Sequence, residues 1–185
     1  GTIYCGSEAM ILDFQGIPSH AAMPELGRNP AYAIAEIISA LPQLQNPVLY
    51  RGLVLATIIQ VDVGERAFGT QASRGKLLLT IRGEFEEDLR RLRGTLEQFA
   101  RERADAWGLG LQIDACDVFP NTVSHRTSNE KIRSVCRELG IPVRDLPSPH
   151  RSSEDFGYYT KQIPGAFFEI GSGETCPDLH TVGMD

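Results

Sequence analysis

The order in which apolar patterns follow one another is the strongest constraint on how this chain folds. Between Ala9 and Phe119, short runs rich in Val, Ile and Leu surround two stretches in which apolar residues recur every three or four positions. Runs of the first kind are typical of strands and stretches of the second kind are typical of helices. The predicted order is strand, helix, strand, strand, helix, strand. This is the split βαβ arrangement, an antiparallel sheet with both helices on one face.

Turn and capping residues set the predicted bounds of these elements. Gly16 and Pro18 close the first strand, and Asn29 is a plausible N-cap for a helix with Pro30 at its first position. Gly108 ends the second helical pattern. The predicted elements are a strand over 9–14, a helix from Pro30 to Pro42, strands over 53–63 and 76–82, a helix from Phe85 to before Gly108, and a strand over 111–119. We therefore predict an α+β, ferredoxin-like domain over residues 9–119.

A different pattern follows Phe119. Helices near 129–139 and 154–161 alternate with short strands over 141–146 and 165–170. This alternation favours an α/β sheet, but two short strands in roughly 65 residues are too few to bury both faces of such a sheet. The sequence thus predicts that residues 120–185 form an incomplete part of an α/β domain.

Composition excludes two classes of partner. The net charge is -6, with 24 acidic against 18 basic residues, whereas nucleic-acid binding needs clustered Lys and Arg. No apolar run approaches the roughly 20 residues of a membrane-spanning helix. We therefore expect no nucleic-acid partner and no membrane partner. The four cysteines are far apart and do not have the spacing of a compact metal site.

Each candidate site residue has an ordinary alternative explanation. His20 lies in the turn after the first strand, where an exposed histidine without a role is common. His180 follows a glycine-rich loop after a predicted strand, a place where α/β sites gather, but one loop histidine does not define a metal site. Ser153 and Glu154 stand at a helix start and could simply cap it. Arg82 ends a strand, where it could bind a carboxylate or remain solvated.

Three longer segments resemble a known family in sequence and in order. They are FQGIPSHAAMPELGRNPAYA over residues 14–33, GERAFGTQASRGKLLLTIRG over 64–83, and SSEDFGYYTKQIPGAFFEIGSG over 152–173, followed by LHTV. They are similar to the aminoacylase and carboxypeptidase-like zinc hydrolases, family twenty of the metallopeptidases. The branch that they most resemble contains the hippurate, indoleacetyl-amino-acid and aminobenzoyl-glutamate hydrolases.

The resemblance implies a two-domain enzyme that acts as a homodimer. An α/β catalytic domain with two zinc ions is interrupted by a lid domain that forms the dimer. Residues 1–8 would then end the first catalytic segment, residues 9–119 would form the lid, and residues 120–185 would continue the catalytic domain. The implied reaction is hydrolysis of N-acyl amino acids or small peptides, with a cytoplasmic location. Because the first catalytic half would precede Gly1, we expect this chain alone to be inactive. The alternative is a dimerisation or binding module without chemistry.

The resemblance also implies a role for each candidate residue. His20 would reach the partner's active site and help to hold the substrate carbonyl, and His180 would bind metal. Arg82 would contact the substrate carboxylate, and Ser153 and Glu154 would face the substrate or lie next to it. One departure concerns an Asn-Val-Ile-Pro element whose asparagine touches substrate in the family. Here the matching stretch is Gly69–Ala72, so that contact is missing or replaced.

Overall fold

Residues 1–171 are the part of the chain that the structure, a computed structural model, describes. The elements in chain order are β1 (Thr2–Tyr4), β2 (Gly6–Gln15), α1 (Ala31–Leu44), β3 (Val54–Val63), β4 (Arg74–Gly83), α2 (Glu86–Ala106), β5 (Gly110–Phe119), β6 (Thr122–Val123), α3 (Arg126–Glu138) and α4 (Phe156–Thr160). Within residues 1–171, no helix combines the length and the apolar character needed to cross a membrane.

Four of the strands form one antiparallel sheet in the order β3-β4-β2-β5. Helices α1 and α2 pack against each other and against one face of this sheet. The predicted succession of strand, helix, strand, strand, helix and strand is therefore observed, and the α+β class is confirmed. The strand that was predicted to begin at Ala9 is β2. It begins at Gly6, because Gly6 already pairs with Gly83 of β4.

The core explains why the two central strands pair as they do. Alternate residues of β2 and β4 are buried against the helices, as expected for a strand with one covered face. These core residues are Met10, Leu12, Phe14, Leu77, Leu79 and Ile81, each at most 1% exposed. A slip by one residue would turn Ile11 and Asp13 towards the helices. The register is accordingly continuous from the pair Gly6–Gly83 to the pair Gln15–Arg74.

Helix α1 differs from its prediction at one end. The Asn29 side chain accepts a hydrogen bond from Ala31 N at 3.0 Å, as a residue that starts a helix does. The predicted end at Pro42 is wrong, since α1 continues through Pro42 to Leu44. Proline removes one backbone donor, but the next turn is completed by the bond from Gln45 N to Leu41 O at 3.1 Å.

The predictions for the C-terminal segment are less accurate. The strand predicted over 141–146 does not form, because this stretch is exposed and no strand among residues 1–171 lies beside it to pair with. The strand predicted over 165–170 does not form either. It runs beside Ser124 and His125, but three of its four hydrogen bonds to these residues involve their side chains instead of a backbone ladder. The two predicted helices are present as α3 and the short α4.

A second, two-stranded sheet was not predicted. Strand β1 pairs with β6 in antiparallel fashion, with Thr2 opposite Val123 and Tyr4 opposite Thr122. Both strands are too short for the alternation of apolar and polar residues to be recognised in the sequence. This small sheet ties the start of the chain to the segment that follows β5.

A buried charge cluster joins β2 to α2. Glu8 has a side chain only 7% exposed, and its Oε1 lies 2.8 Å from Arg93 Nη1. Arg93 also donates from Nε to Glu97 Oε1 at 2.7 Å. Burial raises the pKa of the Glu8 carboxyl above its usual value; Arg93 opposes this rise and Glu97 adds to it. The buried carboxyl therefore holds its proton more tightly than it does in the unfolded chain.

This raised pKa makes the effect of Glu8 on stability depend on pH. The stabilisation contributed by protonated Glu8 is fully present below the unfolded pKa, about 4.3, and is lost as the pH rises through the higher folded pKa. Glu8→Gln does not titrate. We therefore predict that the free energy of unfolding of the wild type, minus that of Glu8→Gln, falls as the pH rises above about 4 in urea titrations. The exposed Glu65→Gln is the control and should give a smaller slope. A difference that rises with pH would contradict the account, since it would mean that Arg93 outweighs burial.

Candidate functional site

His20 lies on an exposed loop that follows β2. The loop forms a single antiparallel bridge with the loop between β3 and β4, with His20 opposite Thr70. His20 Nδ1 accepts a hydrogen bond from Ala22 N at 3.0 Å. Because Nδ1 acts as the acceptor, the neutral imidazole carries its hydrogen on Nε2. The loop thus presents an imidazole N–H donor at the surface.

Residues 19–24 and 67–71 form a braced projection that we call the His20 tip. Ala21 N donates to Gly69 O at 3.0 Å, and Gln71 N donates to Ser19 O at 3.0 Å. The Gln71 side chain adds bonds from Nε2 to Ser19 Oγ at 2.5 Å and to Pro24 O at 2.9 Å. The stretch that departs from the family pattern, Gly69–Ala72, therefore supports the loop that carries the histidine.

Arg82 and Ser153, two of the predicted site residues, lie together at the other end of the sheet. Arg82 Nη1 donates to Arg151 O at 3.1 Å and to Ser153 Oγ at 3.4 Å. Ser7 Oγ donates to Ser153 Oγ at 2.7 Å. Ser7 was not predicted as a site residue. Only the register of the sheet, which places Ser7 opposite Arg82, could have indicated it.

The side chains of Tyr4, His150 and Glu169 form a cluster of hydrogen-bonded and stacked groups. Tyr4 donates to Glu169 Oε1 at 2.6 Å, and His150 Nε2 lies 2.9 Å from the same oxygen. The rings of Tyr4 and His150 stack with centroids 5.0 Å apart. Burial raises the pKa of the Tyr4 hydroxyl, and the charges of Glu169 and Glu154 raise it further. Glu154, a predicted site residue, makes the smallest of these contributions to the raised pKa of Tyr4.

Cys5 stands beside the cluster but does not have the properties of a nucleophile. Its N donates to His150 O at 3.0 Å, and its side chain is fully buried. Burial raises the pKa of the Cys5 thiol, and Glu84 adds to the effect. A buried thiol with a raised pKa is a packing group, since the reactive species is the thiolate.

The structure places the candidate residues in two groups. The His20 tip lies where β2 ends and β4 begins, whereas Arg82 lies near the end of β4. Eight residue steps of an extended strand, from Arg74 to Arg82, span about 27 Å. His20 and Arg82 of one subunit therefore cannot contact the same small molecule.

The described residues do not form a metal centre. Within residues 1–171, no three His, Cys, Asp or Glu side chains converge as ligands of a metal ion would. The predicted ligand His180 lies outside the described residues. What the chain shows is therefore a hydrogen-bond donor at one end of the sheet and an arginine at the other.

Relatives found by sequence are named as hydrolases. A probable hydrolase from Synechocystis sp. is 25% identical over 179 residues, which is 94% of this chain and 44% of the relative. An uncharacterized hydrolase from Staphylococcus aureus is 26% identical over 155 residues, which is 83% of this chain and 40% of the relative. The chain therefore spans less than half the length of these relatives.

Solved structures share the fold. A candidate aminohydrolase from methicillin-resistant Staphylococcus aureus superposes with a TM-score of 0.78 at 21% identity, covering 90% of this chain and 44% of that one. An aminobenzoyl-glutamate utilization protein from Klebsiella pneumoniae superposes with a TM-score of 0.70 at 18% identity, covering 83% and 39%.

The family model for the peptidase dimerisation domain, M20_dimer, matches residues 5–108. This range contains β2 to β4, both sheet-covering helices, the His20 tip and Arg82. It covers more than half of the chain. The chain therefore belongs to the M20-type peptidase dimerisation domain family.

Proposed function

We propose that the complete protein is a homodimeric amidohydrolase that cleaves N-acyl amino acids or small peptides, and that this chain supplies its dimerisation domain. The observation that carries the proposal is that the His20 tip and Arg82 lie at opposite ends of β4, whose stretch from Arg74 to Arg82 spans about 27 Å. A dimer resolves this separation, because His20 of one subunit can then serve the site that contains Arg82 of the other. The hydrolase names of the sequence relatives support the reaction class.

Arg82 is proposed to bind the carboxylate of the amino-acid part. Its Nη1 now donates to two neutral oxygens, those of Arg151 and Ser153. A carboxylate is a stronger acceptor for a guanidinium and can take two parallel hydrogen bonds. Ser153 and Glu154 lie on the same loop and are proposed to line the substrate. Ser7 holds the Ser153 hydroxyl at 2.7 Å and is therefore proposed as a positioning residue.

His20 is proposed to donate from Nε2 to the carbonyl oxygen of the bond that is cleaved. Negative charge builds on this oxygen in the transition state of amide hydrolysis. A donor already held in place stabilises that charge by roughly 3 kcal/mol in comparable sites. The hydrogen bonds that brace the His20 tip supply this preorganisation.

Zinc is proposed as the cofactor of the complete protein, as the family resemblance implies, with His180 as one ligand. The residues described by the structure, 1–171, do not provide a ligand set for the metal. For the same reason we propose that this chain alone does not hydrolyse substrate.

Strand β3 is proposed as the edge at which two subunits meet. It is an outer strand of the sheet, and it exposes Ile58, Ile59 and Val61 by 40%, 60% and 47%. An exposed apolar edge with unpaired backbone groups is a template for pairing with a second chain. Both edges contain a register irregularity, β3 between Ile58 and Gln60 and β5 opposite Ser7–Ala9 of β2, but β5 also has a positive φ of 48° at Asp117, which interrupts a flat edge.

A lysine in the middle of β3 should therefore prevent dimerisation. In a dimer related by a two-fold axis, Ile59→Lys places two like charges in the same interface, at a position that tolerates lysine in the free subunit. Sedimentation velocity should show a dimer for the wild type and a monomer for Ile59→Lys. Val118→Lys, at an exposed position on β5, is the matched control and should remain dimeric. A wild type that stays monomeric at high concentration would refute the homodimer, and a dimeric Ile59→Lys would refute this edge.

Mixed dimers test whether His20 acts across the interface. In the complete protein, His20→Ala should lower kcat and kcat/KM together by about 10²- to 10³-fold without loss of metal, because its hydrogen bond is made in the transition state. His180→Ala should be inactive for a different reason, the loss of a metal ligand. Mixing the two inactive proteins should restore part of the activity, since one site of each mixed dimer has both histidines. No rescue after confirmed subunit exchange would show that His20 does not act in trans.

A further inference from the structure

The guanidinium of Arg82 is held by one of its nitrogens and leaves the other two available. Its Nη1 donates to Arg151 O at 3.1 Å and to Ser153 Oγ at 3.4 Å, whereas Nε and Nη2 make no hydrogen bond within residues 1–171. Nε and Nη2 lie along one edge of the guanidinium, and such an edge can bind both oxygens of a carboxylate. The bonds of Nη1 therefore fix the direction in which this available edge points.

The Arg151 carbonyl is fixed in turn, because the residue before it, His150, is held by its backbone and by its side chain. His150 N donates to Ile3 O at 2.7 Å, and Cys5 N donates to His150 O at 3.0 Å. The His150 ring stacks on the ring of Tyr4, with centroids 5.0 Å apart and planes 27° apart. Residue 150 is thus anchored to the start of the chain, one position before the carbonyl that the guanidinium uses.

Glu169 holds the two stacked rings together. Its Oε1 lies 2.9 Å from His150 Nε2 and accepts a hydrogen bond from the Tyr4 hydroxyl at 2.6 Å. Burial raises the pKa of that hydroxyl, and the hydrogen bond to Glu169 and its charge raise it further, so the hydroxyl stays protonated and remains the donor at neutral pH. One carboxylate oxygen therefore fixes both rings.

The cluster adds little to the stability of the fold. The side chains of His150 and Glu169 are each 40% exposed. An exposed ion pair typically contributes less than about 1 kcal/mol to the free energy of unfolding. The contacts are nevertheless directional, and they converge on the residue that precedes the Arg151 carbonyl. Their main effect is therefore on the position of this backbone segment.

We propose that Tyr4 and Glu169 are positioning residues for Arg82. Acting through the His150 ring, they hold the carbonyl of residue 151, and this carbonyl aims the guanidinium at the substrate carboxylate. The proposal rests on the proposed function, in which Arg82 binds that carboxylate. When the cluster is broken, the carbonyl and the guanidinium can shift, and the geometry of the two hydrogen bonds to the carboxylate is lost in part.

The test uses the complete protein and the N-acyl amino acid that it hydrolyses fastest among the acetyl and benzoyl derivatives of glycine, alanine and leucine. Glu169→Ala should raise KM for this substrate about tenfold and change kcat less than about twofold, because only the hold on the carboxylate is weakened. Tyr4→Phe keeps the stacked ring and removes one hydrogen bond, so KM should rise about threefold. The carboxamide of the substrate has no carboxylate, and its inhibition constant should change less than about twofold in both variants.

A double-mutant cycle with Arg82→Ala separates positioning from a general structural role. Arg82→Ala should raise KM more than Glu169→Ala does. Adding Glu169→Ala to it should change KM less than about twofold, since no guanidinium is left to position. A further rise of about tenfold in the double variant would overturn the proposal. An unchanged or lower KM in Glu169→Ala would also overturn it, and a lower one would mean that the Glu169 charge chiefly repels the substrate carboxylate.

Two exposed positions provide matched controls. Tyr159→Phe, at a tyrosine that is 61% exposed, and Glu102→Ala, on the surface of α2, should leave KM, kcat and the inhibition constant unchanged. A wild type that hydrolyses none of the six derivatives, or an unchanged KM in Arg82→Ala, would overturn the proposed function itself. A raised KM in Arg82→Ala beside an unchanged KM in Glu169→Ala would overturn only the positioning role.

Discussion

The antiparallel pairing of β2 with β4 is the constraint on which the rest of the structure depends. Alternate apolar residues of both strands are buried against α1 and α2, and this burial fixes a continuous register of ten residue pairs. The register determines what stands at each end of the sheet. One end carries the His20 tip, and the other places Ser7 opposite Arg82. Because a buried strand cannot slip by one residue without exposing its core face, the separation between the two groups is as rigid as the core.

The Arg82 end of the sheet is also where the chain after β5 is attached. Strand β1 pairs with β6. Cys5 N donates to His150 O and His150 N donates to Ile3 O, and these bonds hold the loop containing Ser153. Arg82 donates to that loop, and Ser7 reaches the same serine hydroxyl. The candidate carboxylate site is therefore formed where the dimerisation domain meets residues 120–171. The His20 tip lies at the opposite end, and none of its hydrogen bonds in the described part of the chain involves residues 120–171.

Sequence patterns predicted the dimerisation domain well and the following segment poorly, for a physical reason. In β2 to β5, periodicity reports burial on one face, so the residues that repeat are the residues that pack. The segment 141–146 contains Ile141, Val143 and Leu146, a composition typical of a strand, but it is exposed and the described residues, 1–171, include no strand that pairs with it. Arg82 and Ser153 could be selected from motifs, but their contact could not, since it depends on a register between segments about 70 residues apart. Tyr4 and Ser7 gave no signal, because a tyrosine or serine outside a motif has no distinguishing spacing.

The central claim is that one active site takes its histidine from one subunit and its arginine from the other. A crystal structure of the complete protein with a non-hydrolysable N-acyl amino acid analogue tests this most directly. We predict that His20 Nε2 of one subunit lies within about 3 Å of the analogue's carbonyl oxygen. In the same site, Arg82 of the other subunit should bind the carboxylate. An analogue bound by His20 and Arg82 of a single subunit, or by neither residue, would contradict the account.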